Sequence, residues 1–193
     1  MRFRTLLLLC LLSPFCALAV HASTYELTYT ATVSGTYNST PFTDATITFT
    51  GTYDSSSVQT IPIPGVTLYY VPTTVNFSID GAGSGTISGG GIFINQSNEV
   101  AGIEGSDQDV LDVSAAAFGG LSLLAPFDPV LGSYDYSSSV NTSGGLLDIS
   151  SASDLSFAID GASTATPEPG SLALLGTGLL GVAGIARRRV FGS

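Results

Sequence analysis

The 193-residue chain has no lysine and no tryptophan, and only one histidine and two cysteines. Its five basic residues are arginines at positions 2 and 4 and at positions 187–189. The segment 23–165 therefore contains no Lys, Arg, His, Cys or Trp, and it carries fourteen of the fifteen acidic residues. This central segment, which we call the body, has a formal charge of −14.

These absences exclude whole classes of function. Nucleic acids and anionic membrane surfaces are bound through Lys and Arg, which the body lacks. Activated Ser, Thr or Cys nucleophiles need a neighbouring base, and zinc or copper sites favour imidazole or thiolate ligands. We therefore expect no enzymatic activity, no catalytic residue and no cofactor in the body. The alternative that remains open is a hydrolase that uses carboxylates alone.

The first 22 residues have the pattern of a signal peptide. Arg2 and Arg4 form a basic start, residues 5–15 are apolar, and small residues precede a cleavage site that we place after Ala22. Both cysteines, Cys10 and Cys16, lie in this segment. The mature protein is thus expected to be exported and to contain no disulfide.

The other end of the sequence combines three features. Pro167, Glu168 and Pro169 favour extended backbone, residues 171–186 contain no charge, and Arg187, Arg188 and Arg189 follow. Sixteen helical residues span about 24 Å, which is short but sufficient for a single transmembrane helix. Arginines at its end favour the cytoplasmic side. A plain membrane anchor and a buried apolar helix are the alternatives.

This arrangement resembles the PEP-CTERM sorting signal of exopolysaccharide-producing Gram-negative bacteria. The resemblance covers residues 166–193 and implies that an exosortase, a membrane-embedded protease, cleaves near Pro167-Glu168-Pro169. It further implies that the protein is anchored in the inner membrane before processing and then passes to the cell envelope or the extracellular matrix. Exopolysaccharide is an expected partner in that setting.

The body is predicted to be all-β. Apolar and aromatic residues alternate with threonines from Thr24 to Val33 and again from Asp44 to Tyr53, as in half-buried antiparallel strands. Seven further strands are predicted at 66–71, 74–80, 91–95, 109–114, 121–124, 145–150 and 155–160. Residues 81–85 are interpreted as a flexible hairpin connection, and residues 115–118 as at most one helical turn. The expected fold is a two-sheet antiparallel β-sandwich or jelly roll.

Two features of the body are candidate binding sites. Threonines alternate along the first two strands and form a ladder that can order water, as ice-binding surfaces do, although threonine is also common on solvent-facing strands. The acidic run Glu104, Asp107, Asp109 and Asp112 supplies the oxygen ligands that Ca²⁺ prefers, although it lacks the EF-hand glycine and terminal glutamate, and a solvated loop is the favoured interpretation.

Together these patterns predict an exported, exosortase-processed protein with a structural or adhesive role at the cell surface or in the extracellular matrix. The alternative is an ice-binding or carbohydrate-binding β module. The carboxylate-only hydrolase is a second alternative.

Overall fold

The structure is a computed structural model, and it describes residues 23–106 and 108–161. These residues form twelve antiparallel strands and two short 3-10 helices, Ser55–Ser57 and Ala116–Gly120. The strands are β1 (Thr24–Tyr37), β2 (Thr40–Asp54), β3 (Gln59–Ile63), β4 (Val66–Pro72), β5 (Val75–Ile79), β6 (Gly83–Ile87), β7 (Gly91–Asn95), β8 (Val100–Glu104), β9 (Asp109–Ser114), β10 (Phe127–Ser137), β11 (Val140–Thr142) and β12 (Gly145–Gly161). The prediction of an all-β antiparallel body is confirmed.

The two long strands β1 and β2 follow the predicted alternation. Leu27, Tyr29, Ala31 and Val33 of β1 are buried, while the threonines between them are partly exposed. Because successive side chains of a strand point to opposite faces, this pattern assigns one face to the core and the other to solvent. Polar threonines can occupy the outer face without losing their hydration, so the alternation itself favours the strand conformation.

The strands follow one continuous, curled sheet in the order β3-β4-β7-β8-β9-β10-β12-β1-β2-β5-β6, with β11 paired to β12. Strand β10 joins the two halves of this path, because its first part pairs with β12 and its second part pairs with β9. The finer prediction of two separate sheets in a sandwich or jelly roll is not confirmed.

The free edge of β6 meets the turn that follows β11. The Ser143 amide donates to the Thr86 carbonyl at 3.0 Å, and the Thr86 amide donates to Ser143 Oγ at 2.9 Å. These two bonds satisfy edge groups that would otherwise be open to pairing with another chain. The curl of the sheet therefore protects one of its own edges.

A single hydrophobic core lies on the inner side of the curled sheet. A Cβ atom at Gly51 of β2 would stand 3.6 Å from Ile92 Cδ1 of β7, so these two strands face each other across the core. The ring of Phe118, from the second 3-10 helix, packs edge-on against Phe157 of β12 at 5.8 Å. Strands that are distant along the sheet thus share one core.

The predicted strand at 121–124 is wrong. Residues 121–126 form a loop after the second 3-10 helix; Leu123 is fully buried, and its carbonyl accepts a hydrogen bond from Tyr53 Oη at 3.0 Å. The apolar residues here close the core instead of joining a strand ladder.

Other differences concern strand boundaries. The predicted strands 145–150 and 155–160 are parts of the single strand β12, and the residues 83–85 assigned to a flexible connection begin β6. Strands β3, β6, β8, β10 and β11 were not predicted. Pro62 lies in β3, glycines lie in β6, and the other three strands lack a clear alternation.

Two predicted segments lie outside the described residues: the signal peptide at 1–22 and the transmembrane helix at 171–186. By its contacts the chain divides into a unit Met1–Gly161 and a unit Ala162–Ser193. Within residues 23–106 and 108–161, no helix has the length and apolar character needed to cross a membrane.

The close approach of neighbouring strands at Gly102 gives a test of the fold. A Cβ atom there would stand 2.8 Å from the Leu111 carbonyl oxygen and would also meet the Asp112 carboxyl group. We expect Gly102→Ala to lower the free energy of unfolding by about 1–3 kcal/mol in urea denaturation. The control Gly120→Ala, which has no neighbouring atom within 4 Å, should change it little. Equal unfolding midpoints for the two variants would contradict the packing at Gly102.

Candidate functional site

The outer side of five strands, β12-β1-β2-β5-β6, carries a surface that we call the hydroxyl face. Its central row runs across all five strands as Ser156, Thr30, Thr48, Ser78 and Ser84, each residue paired directly with the next. Directly paired residues share a face, so five hydroxyl groups stand side by side. With strands about 4.8 Å apart, the row is about 19 Å long.

Further rows flank this central one. On one side lie Ala158, Thr28, Thr50, Asn76 and Thr86, and on the other lie Ser153, Thr32 and Thr46. Rows on one face repeat about every 6.8 Å along a strand. The pairing of β1 with β2 is uninterrupted from Thr24 to Val33, whereas the pairing of β1 with β12 shifts between Thr30 and Thr32.

Acidic residues lie at the ends of the hydroxyl face and not in its rows. Glu26 stands directly opposite Asp160 at one end. At the other end, Asp44 lies where the pairing of β1 with β2 shifts, and the Asp80 amide donates a hydrogen bond to the Thr46 carbonyl at 3.0 Å. Like charges placed opposite each other on neighbouring strands are unfavourable. The centre of the face therefore offers uncharged donors and acceptors inside an acidic border.

A second surface, which we call the aromatic cleft, lies on the outer side of β4, β7, β8 and β9. Its cavity volume is about 230 Å³, and it is lined by Leu68, Tyr70, Phe93, Asn95, Glu104 and Asp109. The register explains this assembly, because Tyr70 pairs with Phe93, Leu68 pairs with Asn95, and Glu104 pairs with Asp109.

Glycines make room for the two aromatic rings of the cleft. Carbon Cε2 of Tyr70 lies 2.8 Å from where a Cβ of Gly91 would stand, and Cζ of Phe93 lies 3.0 Å from the corresponding point at Gly102. Both rings therefore extend over the backbone of a neighbouring strand. Glycine in a strand commonly marks such a close approach.

The described residues of the predicted calcium site differ in their surroundings. Glu104 and Asp109 line the aromatic cleft, whereas Asp112 is buried beside Phe93 with only 5% of its surface exposed, and Asp107 lies outside the described residues. Among the described residues, no three His, Cys, Asp or Glu side chains are grouped so that they can hold a metal ion. The calcium site, which includes Asp107, stays a prediction.

Asp112 and Tyr29 are unusual polar groups in the interior. Neither Asp112 Oδ1 nor Tyr29 Oη has a hydrogen-bond partner among the described residues. Burial, reinforced by the charges of Asp109 and Asp135, raises the pKa of Asp112 to about 8. Burial and then the charge of Asp112 raise the pKa of Tyr29. Asp112 is therefore mostly protonated at neutral pH, which avoids the cost of a buried charge.

The remaining carboxylates bear on the hydrolase alternative. Asp128 and Asp160 line another open cavity of about 230 Å³, together with Pro126, Phe127, Ile159 and Gly161. Each of these two cavities is lined by a pair of acidic residues, whereas Asp112, the carboxyl group that is protonated at neutral pH, lines neither of them.

The aromatic residues Tyr70 and Phe93 were not predicted as site residues, because only the strand register brings them next to the acidic residues.

The comparisons with known proteins concern the segment that follows the body. Residues 165–189 match the PEP-CTERM protein-sorting motif. The chain carries a PEP-CTERM sorting motif. The motif is consistent with a PEP-CTERM domain-containing protein and indicates an exported protein that is a target of exosortase. The predicted processing residues Pro167, Glu168 and Pro169 and the arginines 187–189 all fall within the matched segment.

No curated protein matches the chain. No solved structure matches it either. The PEP-CTERM match covers the sorting segment and not the β body, so the role of the body depends on its own surfaces.

The buried carboxyl group gives a pH test. The folded-state pKa of Asp112 lies above its ordinary value of 3.8, so the folded state binds this proton more tightly than the unfolded chain does. Its stabilising effect is fully present below about pH 4 and is lost as the pH rises through 8. Between these limits, we expect the free energy of unfolding to fall by up to about 1.4 kcal/mol per pH unit, as measured by urea denaturation.

Asp112→Asn should remove most of this pH dependence, because the amide has no proton to lose in that range. The matched control Asp128→Asn, at an exposed position, should retain it. An Asp112→Asn profile parallel to that of the unmodified protein would show that other groups cause the slope.

Proposed function

We propose that this PEP-CTERM protein is a non-enzymatic structural or adhesive component of the cell surface or extracellular matrix, and that its hydroxyl face contacts neutral polysaccharide. The row of five hydroxyl groups across β12-β1-β2-β5-β6 is the observation that carries this proposal. Sugar hydroxyls are both donors and acceptors, as are the Ser and Thr side chains of the face.

The physical character of the face favours extended, weakly binding partners. β-Branched threonines in a strand have few side-chain rotamers, so little conformational entropy is lost when they make contacts. The outer face is broad and open, a shape better matched to a polymer chain or an ordered surface than to a small enclosed ligand. Many weak contacts along one polymer then add through multivalency.

The charge of the body restricts the partner further. Fourteen acidic residues without an internal cation repel polyanions, so an acidic polysaccharide is a poor partner at low salt. The same charge opposes self-association and keeps the released protein dispersed. A neutral polymer meets the uncharged centre of the face without this repulsion.

A bulky substitution at the centre of the hydroxyl face tests the proposal. Thr48→Tyr keeps a strand-favouring residue but places a large ring in the row, so we expect it to reduce retention of the secreted protein in the producing cells' polysaccharide matrix several-fold. The control Thr60→Tyr lies at an exposed position on β3, away from the face. Equal retention of both variants in a matrix-fractionation assay would contradict a role for the hydroxyl face.

Ice binding is the second candidate function. The direct pairing of Thr28 with Thr50, Thr30 with Thr48, and Thr32 with Thr46 favours it, because paired threonines place methyl and hydroxyl groups in a repeating array. The same Thr48→Tyr and Thr60→Tyr variants separate this function from polysaccharide binding. Loss of ice recrystallisation inhibition in Thr48→Tyr, with matrix retention unchanged, would favour ice over polysaccharide.

The sorting motif supports the proposal that exosortase processing releases the body from the inner membrane. We expect Glu168→Ala to leave full-length protein in the inner-membrane fraction, because it removes the only charge of the Pro-Glu-Pro sequence. The control Glu26→Ala removes an exposed carboxylate of β1 and should be processed normally. The size and location of each variant can be followed by immunoblotting of cell fractions. Normal release of Glu168→Ala into the medium would contradict exosortase recognition at this sequence.

A further inference from the structure

The aromatic cleft has a composition that differs from the hydroxyl face. Tyr70 of β4 pairs in register with Phe93 of β7, and Glu104 of β8 pairs in register with Asp109 of β9. All four residues line the same cavity. The cleft therefore combines aromatic rings with negative charge within a small volume.

The two carboxyl groups give the cleft a negative potential that favours a positively charged ligand. Burial and then the charge of Glu104 raise the pKa of Tyr70, which shows that the Glu104 carboxylate acts on this ring, and burial raises the pKa of Asp109. The body contains no Lys, Arg or His, so a cation bound in the cleft would come from outside the body. A bound ammonium group would pair with the carboxylates and would also be attracted to the aromatic rings.

The size of the cleft limits what can carry that ammonium group. A volume of about 230 Å³ is below the range of drug-sized pockets and suits a single ring-sized unit. Asn95, at the side of the cleft, supplies an amide donor and acceptor for a neighbouring hydroxyl group. These features match one sugar ring that bears an amine.

We propose that the aromatic cleft binds an amine-bearing sugar unit of a matrix polysaccharide. Its ammonium group lies between the Glu104 and Asp109 carboxylates, and its ring lies against Tyr70 and Phe93. The choice of a polysaccharide as the source of the amine rests on the proposed location of the protein in the matrix. The cleft itself is separate from the hydroxyl face, since it lies on β4, β7, β8 and β9.

Calorimetry with defined oligosaccharides tests this proposal on the secreted protein. We expect fully deacetylated glucosamine oligomers to bind, and N-acetylated oligomers of the same length to bind at least about tenfold more weakly, because acetylation removes the ammonium charge. Spermidine and a short oligolysine serve as amine probes without a sugar ring. They should bind more weakly than the glucosamine oligomer does.

Charge-matched variants separate the cleft from general attraction to an acidic protein. Asp109→Asn should weaken binding of the deacetylated oligomer about tenfold, whereas Asp128→Asn, which removes the same charge elsewhere, should change it less than twofold. Tyr70→Ser should weaken binding about three- to tenfold, while Tyr136→Ser, at a half-exposed ring on β10, should not. Thermal melts confirm that each variant is folded.

Three outcomes would overturn the proposal: equal binding of the acetylated and deacetylated oligomers, equal effects of Asp109→Asn and Asp128→Asn, or equal binding of oligolysine and the glucosamine oligomer. The hydroxyl-face variant Thr48→Tyr should bind the oligomer normally. The two proposals can fail independently. Oligomer binding tests the aromatic cleft, whereas matrix retention of Thr48→Tyr tests the hydroxyl face.

Discussion

The register of β1 against its two neighbours is the constraint on which the rest of the body depends. β1 pairs with β2 from Thr24 to Tyr37 and with β12 over nearly the same length, so it is an interior strand with a long partner on each side. A slip of one residue would turn Leu27 and Tyr29 towards solvent and the threonines towards the core. Such a slip would expose several apolar side chains to water and bury several hydroxyl groups. The free-energy cost of both changes keeps the strands in a single alignment. The hydroxyl face exists because the core on the opposite side of the same strands is apolar.

The lack of basic residues in the body determines how its negative charges are accommodated. The body has no Lys, Arg or His, so its carboxylates cannot be neutralised by side-chain ion pairs within it. Most of them lie at exposed positions, where water and counterions screen them. The exception is Asp112, which is buried beside Phe93 and holds its proton near neutral pH. An exported protein with this composition is expected to be more stable in mild acid and in salt than in dilute alkaline solution.

Prediction from the sequence succeeded where one face of a strand is buried and the other is exposed to solvent. The alternation in β1 and β2 allowed both strands and their exposed threonines to be predicted, because the periodicity of two carries the assignment by itself. It failed at 121–124, where consecutive apolar residues fill the core from a loop, and at β8, where buried residues on both faces remove the alternation. It also missed β3, because this edge strand contains Pro62, and proline within a sheet is confined mainly to edge strands and bulges.

The sequence by itself determined the sorting segment, the acidic character of the body and the all-β class. Each of these depends on composition or on neighbours a few residues apart. Only the tertiary structure decided that Ser156, Thr30, Thr48, Ser78 and Ser84 form one row, and that Tyr70 and Phe93 share a cleft with Glu104 and Asp109. These residues come from strands that are separated in the chain, and they meet because each strand pairs in a fixed register with its neighbour in the sheet. Strand order and register depend on long-range hydrogen bonds and on the packing of a shared core, which no local pattern of residues encodes.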